Sequence, residues 1–151
     1  MNEGDAIPAV GVTDRDGGTI DLAALPRPLV IYFYPKDDTT GCTREAQDFT
    51  ALAADFAAAG AMVLGISKDP PAAHARFVAK HALDIALASD LDGSACEAFG
   101  VWVEKNMYGR KYMGIDRATF LFGADGTLAK AWRKVKVPGH AAAVLDAVRA
   151  L

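Results

Sequence analysis

The run Leu29-Val30-Ile31-Tyr32-Phe33-Tyr34, closed by Pro35, constrains this chain more than any other segment. Its six apolar residues do not alternate with polar ones, are too few for a buried helix, and are rich in β-branched and aromatic side chains. That pattern predicts a strand covered on both faces. A strand with no face for water belongs in a sheet on which other elements pack.

The segments around this run supply such elements. Phe49, Leu52, Ala53 and Phe56 recur at helical spacing before Gly60, which predicts a helix from about Cys42 to Ala59. Ala61 to Ser67 reads as a second buried strand, and Pro71 opens a helix carrying Phe77 and Val78 that ends near His81. A strand at Ile85 to Ala88, a short helix at Ser94 to Phe99 and an irregular basic stretch from Val103 to Gly114 are expected next. Thr119 to Phe122 and Leu128 to Trp132, joined by Gly123-Ala124-Asp125-Gly126, predict a β-hairpin, and Val144, Leu145, Val148 and Leu151 give a closing helix one apolar face. At the other end, Val10, Val12 and Thr19 to Leu22 flank Asp14-Arg15-Asp16-Gly17-Gly18, the turn chemistry of an N-terminal hairpin. The predicted class is α/β: a mixed central sheet flanked by helices on both sides, in the order of a thioredoxin-like fold. With 151 residues, one domain spanning 1–151 is expected.

Composition narrows the partners. A formal net charge of -3 leaves no positive excess for a nucleic-acid backbone. No apolar run approaches the roughly 20 residues of a membrane span, and Met1-Asn2-Glu3-Gly4-Asp5 has no secretory pattern, so a cytoplasmic protein is expected. Two cysteines are too few for a disulfide scaffold, which directs attention to each thiol separately.

Cys42 stands where the first helix begins, just beyond the buried strand. The reactive form of cysteine is the thiolate, and holding a free thiol mostly ionised at neutral pH needs roughly 2 kcal/mol. A helix N-terminus supplies about 0.3–1 kcal/mol, or about 2 when partly buried. A guanidinium at about 4 Å adds about 4 kcal/mol at an effective dielectric near 20, before desolvation, so an arginine is expected to be the larger contributor. Taken singly these residues have ordinary explanations. Cys42 fits as a small buried side chain, Pro35 as loop punctuation, and Thr39 as an N-cap whose hydroxyl accepts from the amide of Gly41 or Cys42.

Together, Pro35, Thr39 and Cys42 form Pro-x-x-x-Thr-x-x-Cys directly after an aromatic strand, which closely resembles the active-site signature of the peroxiredoxins. Gly41-Cys42-Thr43, Phe99-Gly100-Val101-Trp102, Gly114-Ile115-Asp116-Arg117 and Phe120-Leu121-Phe122 resemble the Q-type, or bacterioferritin-comigratory, subgroup, and the likeness spans nearly the whole chain. The resemblance implies a thioredoxin fold, reduction of hydrogen peroxide and organic hydroperoxides in antioxidant defence, and re-reduction by thioredoxin or another external thiol. It carries Pro35, Thr39 and Cys42 over as loop residues and Arg117 as the active-site arginine, with Gly41 among the substrate-binding positions. Cys42 would attack the terminal peroxide oxygen and become a sulfenic acid. Arg117, the Thr39 hydroxyl and the amides near Gly41 and Cys42 would steady the departing oxygen, and Pro35 would shield the thiolate. Glu45 either holds a guanidinium in place or is a first-turn acid favoured by the helix dipole.

Gln47 stands where many subgroup members carry a resolving cysteine, and 71–82 holds none either. Cys96 is the only other thiol; it reads as a buried structural residue, with resolution of Cys42 as the alternative. A one-cysteine cycle is therefore expected, in a monomer or alternatively a dimer. The rivals are a non-catalytic redox sensor or chaperone, and a thiol-disulfide oxidoreductase, although Glu45 occupies the second position of a Cys-x-x-Cys. His74, His81 and His140 form no zinc spacing, and a calcium loop starting at Asp90-Leu91-Asp92-Gly93 would have Ala95 where it needs glycine and Val101 where it needs glutamate. No metal and no cofactor are expected. The basic aromatic stretch Lys105 to Tyr112 reads as a solvated loop, or else one that rims the pocket or meets the reductant.

Overall fold

In the computed structural model, which describes residues 1–151, the buried run becomes β3 (Leu29–Phe33), with all five residues inaccessible to solvent. The chain reaches it through the N-terminal hairpin β1 (Gly11–Thr13) and β2 (Thr19–Asp21), then a short 3-10 turn. It continues as α1 (Thr40–Ala51), α2 (Ala53–Ala58), β4 (Met62–Ser67), α3 (Pro71–His81), β5 (Ala86–Ser89) and α4 (Ser94–Ala98). The hairpins β6 (Trp102–Met107)–β7 (Arg110–Ile115) and β8 (Ala118–Phe122)–β9 (Leu128–Trp132) come next, and α5 (His140–Arg149) closes the chain. No helix is long and apolar enough to cross a membrane.

Seven strands form one mixed sheet in the order β2-β1-β5-β4-β3-β8-β9, with β3, β4 and β5 parallel and the outer pairings antiparallel. Because β3, β4 and β5 are laid side by side in one direction, their same-handed crossovers put α1, α2 and α3 on one face. Val30, Tyr32 and Tyr34 point to that face and pack with Phe49, Phe56, Phe77, Val144 and Val148. Leu29, Ile31 and Phe33 point the other way, to Cys96, Phe99, Phe120 and Phe122. Tyr32 stacks on Phe49 with centroids 4.7 Å apart, and burying each such ring contributes about 1.5–3 kcal/mol. Gly65 makes room for that stack, since a Cβ there would lie 2.7 Å from Tyr32 Cζ.

Two local expectations are corrected. The helix expected over 42–59 is broken at Leu52 (φ −102°, ψ 8°), whose amide turns back to the Phe49 carbonyl three residues earlier. The stretch 103–114, expected to be irregular, is the β6–β7 hairpin. Its turn has positive φ at Tyr108 (53°) and Gly109 (78°), the geometry of a tight primed turn. Both strands are largely solvated, so no apolar alternation marks them.

Candidate active site

The carboxyl end of β3 opens into the loop 34–39, and Thr39, extended at φ −85° and ψ 157°, starts α1. Cys42 is thus the third residue of the helix and is only 2% exposed, packed among Tyr32, Tyr34, Ala46 and Phe49. At this end of the sheet Phe33 pairs with Ala118 in the antiparallel β3–β8 ladder, so Arg117 emerges beside the loop that leaves β3. The Arg117 carbonyl accepts from the Val135 amide at 3.0 Å, and the Asp116 amide donates to the Val101 carbonyl at 2.8 Å, fixing the backbone on either side.

The guanidinium then bridges two side chains of α1. Nη2 donates to Cys42 Sγ at 3.2 Å and Nη1 to Glu45 Oε1 at 2.7 Å. Sequence spacing puts Glu45 one helical turn beyond Cys42, on the same side of the helix. Burial opposes the Arg117 charge, but Glu45 and Cys42 together hold its pKa above the ordinary value. Glu45 is 1% exposed and its Oε2 has no partner; burial outweighs the arginine and pushes its carboxyl up to about 7. Gly41 faces the guanidinium, and a Cβ there would lie 3.3 Å from Arg117 Nη2.

Thr39 does not cap as expected. Its hydroxyl donates to the Lys36 carbonyl at 2.9 Å and makes no bond to the helix. The first-turn amides of Gly41 and Cys42 are used by no backbone or side-chain acceptor and remain available as donors beside the sulfur. Pro35 is exposed at the mouth of the loop. Cys96 lies in α4 on the opposite face of the sheet, fully buried, its amide bonded to Asp90 Oδ2 at 2.8 Å. Burial and the Asp90 carboxylate raise the Cys96 thiol well above the ordinary cysteine range.

The structure also brings further charged residues toward the site, some of which sequence reasoning missed. Lys105 on β6, from the stretch for which rimming the pocket was one alternative, is held below the ordinary lysine range by burial and by Arg117, against the pull of Asp116 and Cys42. Asp37 and Asp38 in the loop bond to His74 and to Lys80 and His81 on α3. Two histidines seven residues apart on one helix face, opposite two consecutive acids, were the available signal. His140 pairs with Thr119 Oγ1 at 2.7 Å and is pushed down to about 4, first by burial and then by Arg117.

Residues 4–131 match the AhpC/TSA family. Similar proteins include a Xanthomonas campestris peroxiredoxin Bcp, 54% identical over 122 residues that cover 81% of this chain and 76% of the relative. The peroxiredoxin Bcp of Bacillus subtilis is 41% identical over 97% of this chain and 94% of its own length. The chain is a Q-type peroxiredoxin of the AhpC/TSA family. Among solved structures, the bacterioferritin comigratory protein of Xanthomonas campestris, described for its alkyl peroxide reduction activity, superposes with a TM-score of 0.88 at 47% identity. That alignment covers 97% of this chain and 98% of the other. The thioredoxin-like fold is shared, and as a peroxiredoxin the chain is a thiol-dependent peroxidase working on hydroperoxides with a thiol reductant.

Proposed function

We propose that this peroxiredoxin reduces hydrogen peroxide and organic hydroperoxides at Cys42, with Arg117, Thr39, Gly41 and Pro35 forming the receiving site and Glu45 orienting the arginine. The observation that carries this reading is the 3.2 Å bond from Arg117 Nη2 to Cys42 Sγ beside two unused amides. A charge-assisted bond of this kind is worth about 1.5–3 kcal/mol.

The thiolate attacks the terminal peroxide oxygen in line with the oxygen–oxygen bond. A sulfur–oxygen bond forms as the oxygen–oxygen bond breaks, and the electron pair leaves on the departing oxygen. That oxygen takes a proton and departs as water or an alcohol, leaving Cys42 as sulfenic acid. Arg117 and the Gly41 and Cys42 amides point where the new negative charge develops, and the Thr39 hydroxyl can turn from Lys36 to join them. An external thiol then attacks the sulfenic sulfur, releasing water and forming a mixed disulfide, which a second thiol opens.

A one-cysteine cycle is supported by the two core clusters: Cys42 packs with Tyr32 and Tyr34, Cys96 with Ile31 and Phe33 on the far side of the same strand. An internal disulfide needs Cα atoms within about 7 Å, and the sheet stands between these two. Thioredoxin or another thiol protein is the reductant under this reading, and the enzyme is a single-domain cytoplasmic monomer, with a dimer as the alternative. Intact mass after one equivalent of hydrogen peroxide tests it: wild type should gain one oxygen and Cys42→Ser none. Repeated turnover by Cys42→Ser at the wild-type rate would end the proposal.

A further inference from the structure

The peroxidase loop is tied to α3, an element that takes no part in the peroxide chemistry. Asp37 is nearly buried and held from three directions. Tyr34 Oη donates to its Oδ1 at 2.6 Å, His74 Nδ1 faces its Oδ2 at 2.6 Å, and its amide donates to Asp69 Oδ2 at 2.9 Å. His74 is fully buried, and its Nε2 lies 3.0 Å from the Ala88 carbonyl on β5. A carbonyl only accepts, so Nε2 carries hydrogen and a single proton lies between Nδ1 and the carboxylate. One imidazole thus spans from β5 to the loop. The next residue, Asp38, sits at φ 60° and meets Lys80 Nζ at 2.6 Å and His81 Nε2 at 2.8 Å. That second tie is exposed and worth little, so the buried His74–Asp37 pair is the one that decides the loop's position.

Immediately after Asp38 the chain enters the receiving site itself, at Thr39, Gly41 and Cys42. Because Cys42 is almost inaccessible, an external thiol reaches its oxidised sulfur only when the loop and the first turn of α1 open locally. The same tie therefore acts oppositely on the two half-reactions. We propose, resting on the peroxidase reading, that His74 is a positioning residue. Through Asp37 it fixes the loop for peroxide and restrains the opening that admits the reductant.

The test separates the two bonds of the imidazole. In His74→Asn the amide nitrogen reaches the place of Nδ1 and can still meet Asp37; in His74→Gln it reaches the place of Nε2 and keeps only Ala88. Oxidation of reduced protein by hydrogen peroxide is timed by rapid quench and intact mass, and reduction of once-oxidised protein by dithiothreitol is timed separately. His74→Gln should be oxidised roughly tenfold or more slowly, the size of a lost charged hydrogen bond, and reduced as fast as wild type or faster. His74→Asn should retain most of the oxidation rate. Asp37→Ala, cut from the loop side and leaving His74 on α3, should reproduce the split, and adding His74→Gln to it should slow oxidation little further. The proposal is overturned if His74→Gln is oxidised at the wild-type rate, or if Asn and Gln are equally slow. It is overturned as well if the double variant is additive, or if both half-reactions slow together as the melting temperature falls. Wild-type protein left unoxidised by hydrogen peroxide would instead sink the peroxidase reading, and this one with it.

Discussion

Replacing Glu45 by Gln should make the protein more stable at high pH and less active. Burial lifts this carboxyl from 4.5 to about 7 because Oε2 is sealed in without a partner, while Oε1 alone receives Arg117. A folded-state pKa above the unfolded one means the native protein grips the proton harder. The stability so gained is complete below about pH 4.5 and is lost as pH rises through about 7. At about 1.4 kcal/mol per unit, the shift amounts to about 3 kcal/mol. Glu45→Gln keeps the shape and an oxygen for Arg117 but does not titrate. The stability of the variant relative to wild type should therefore rise by about 3 kcal/mol between about pH 4 and about pH 8, or roughly 6–12 °C in melting temperature for a chain of this size. Parallel thermal melts of both proteins across that range measure the difference. A difference that stays flat with pH would refute the reasoning, because it would mean that Glu45 binds its proton no more tightly in the native protein than in the unfolded chain. Peroxide reduction should meanwhile slow, since a neutral amide holds the guanidinium more weakly.

Arg117→Ala should slow Cys42 oxidation by about 10- to 100-fold, the equivalent of one charge-assisted bond, as stopped-flow with hydrogen peroxide would show. It should also destabilise the fold by up to about 3–5 kcal/mol at about pH 8, where Glu45 loses the cation that offsets its burial, and by less at about pH 5, where Glu45 is protonated; urea titrations at the two values check this. Gly41→Ala should leave the melting temperature unchanged or slightly higher, because alanine suits a helix, yet reduce the peroxide rate by displacing Arg117 Nη2 from its 3.3 Å approach. Cys96→Ser should retain most turnover with a thioredoxin-type reductant, and non-reducing peptide mapping of oxidised wild type should find no Cys42–Cys96 bond.

The legible parts of the fold were those where burial writes a period into the sequence. β3 announces itself because both its faces are covered, and α3 because Pro71 opens it and Phe77 and Val78 mark its inner side. The β6–β7 hairpin buries little on either face, so polar and apolar residues fall without order; only Tyr108-Gly109 at its turn carried a signal. At the site, the spacing of Pro35, Thr39 and Cys42 was local and could be read directly. Arg117 lies 75 residues beyond Cys42 and reaches it only because Phe33 and Ala118 are paired, a register no local pattern contains. The tie from Asp37 to His74 was hidden for the same reason: it crosses from a loop to a helix 37 residues on, and each partner alone has an ordinary explanation.

Charge balance ties these observations to the chemistry. The guanidinium is one positive charge shared by two buried groups that can each become negative, so burial tolerates one anion beside it more readily than two. A Glu45 carboxyl that keeps its proton to about 7 leaves the positive charge to the sulfur; an ionised Glu45 orients the guanidinium better but competes for it. Arg117 itself stays charged across this range, its pKa raised further by the same two neighbours, so the adjustment falls on the carboxyl. The group beside Arg117 whose proton is held up to about 7 is thus the glutamate behind the arginine that meets the sulfur. That places one pH-sensitive charge a helical turn away from the reacting atom.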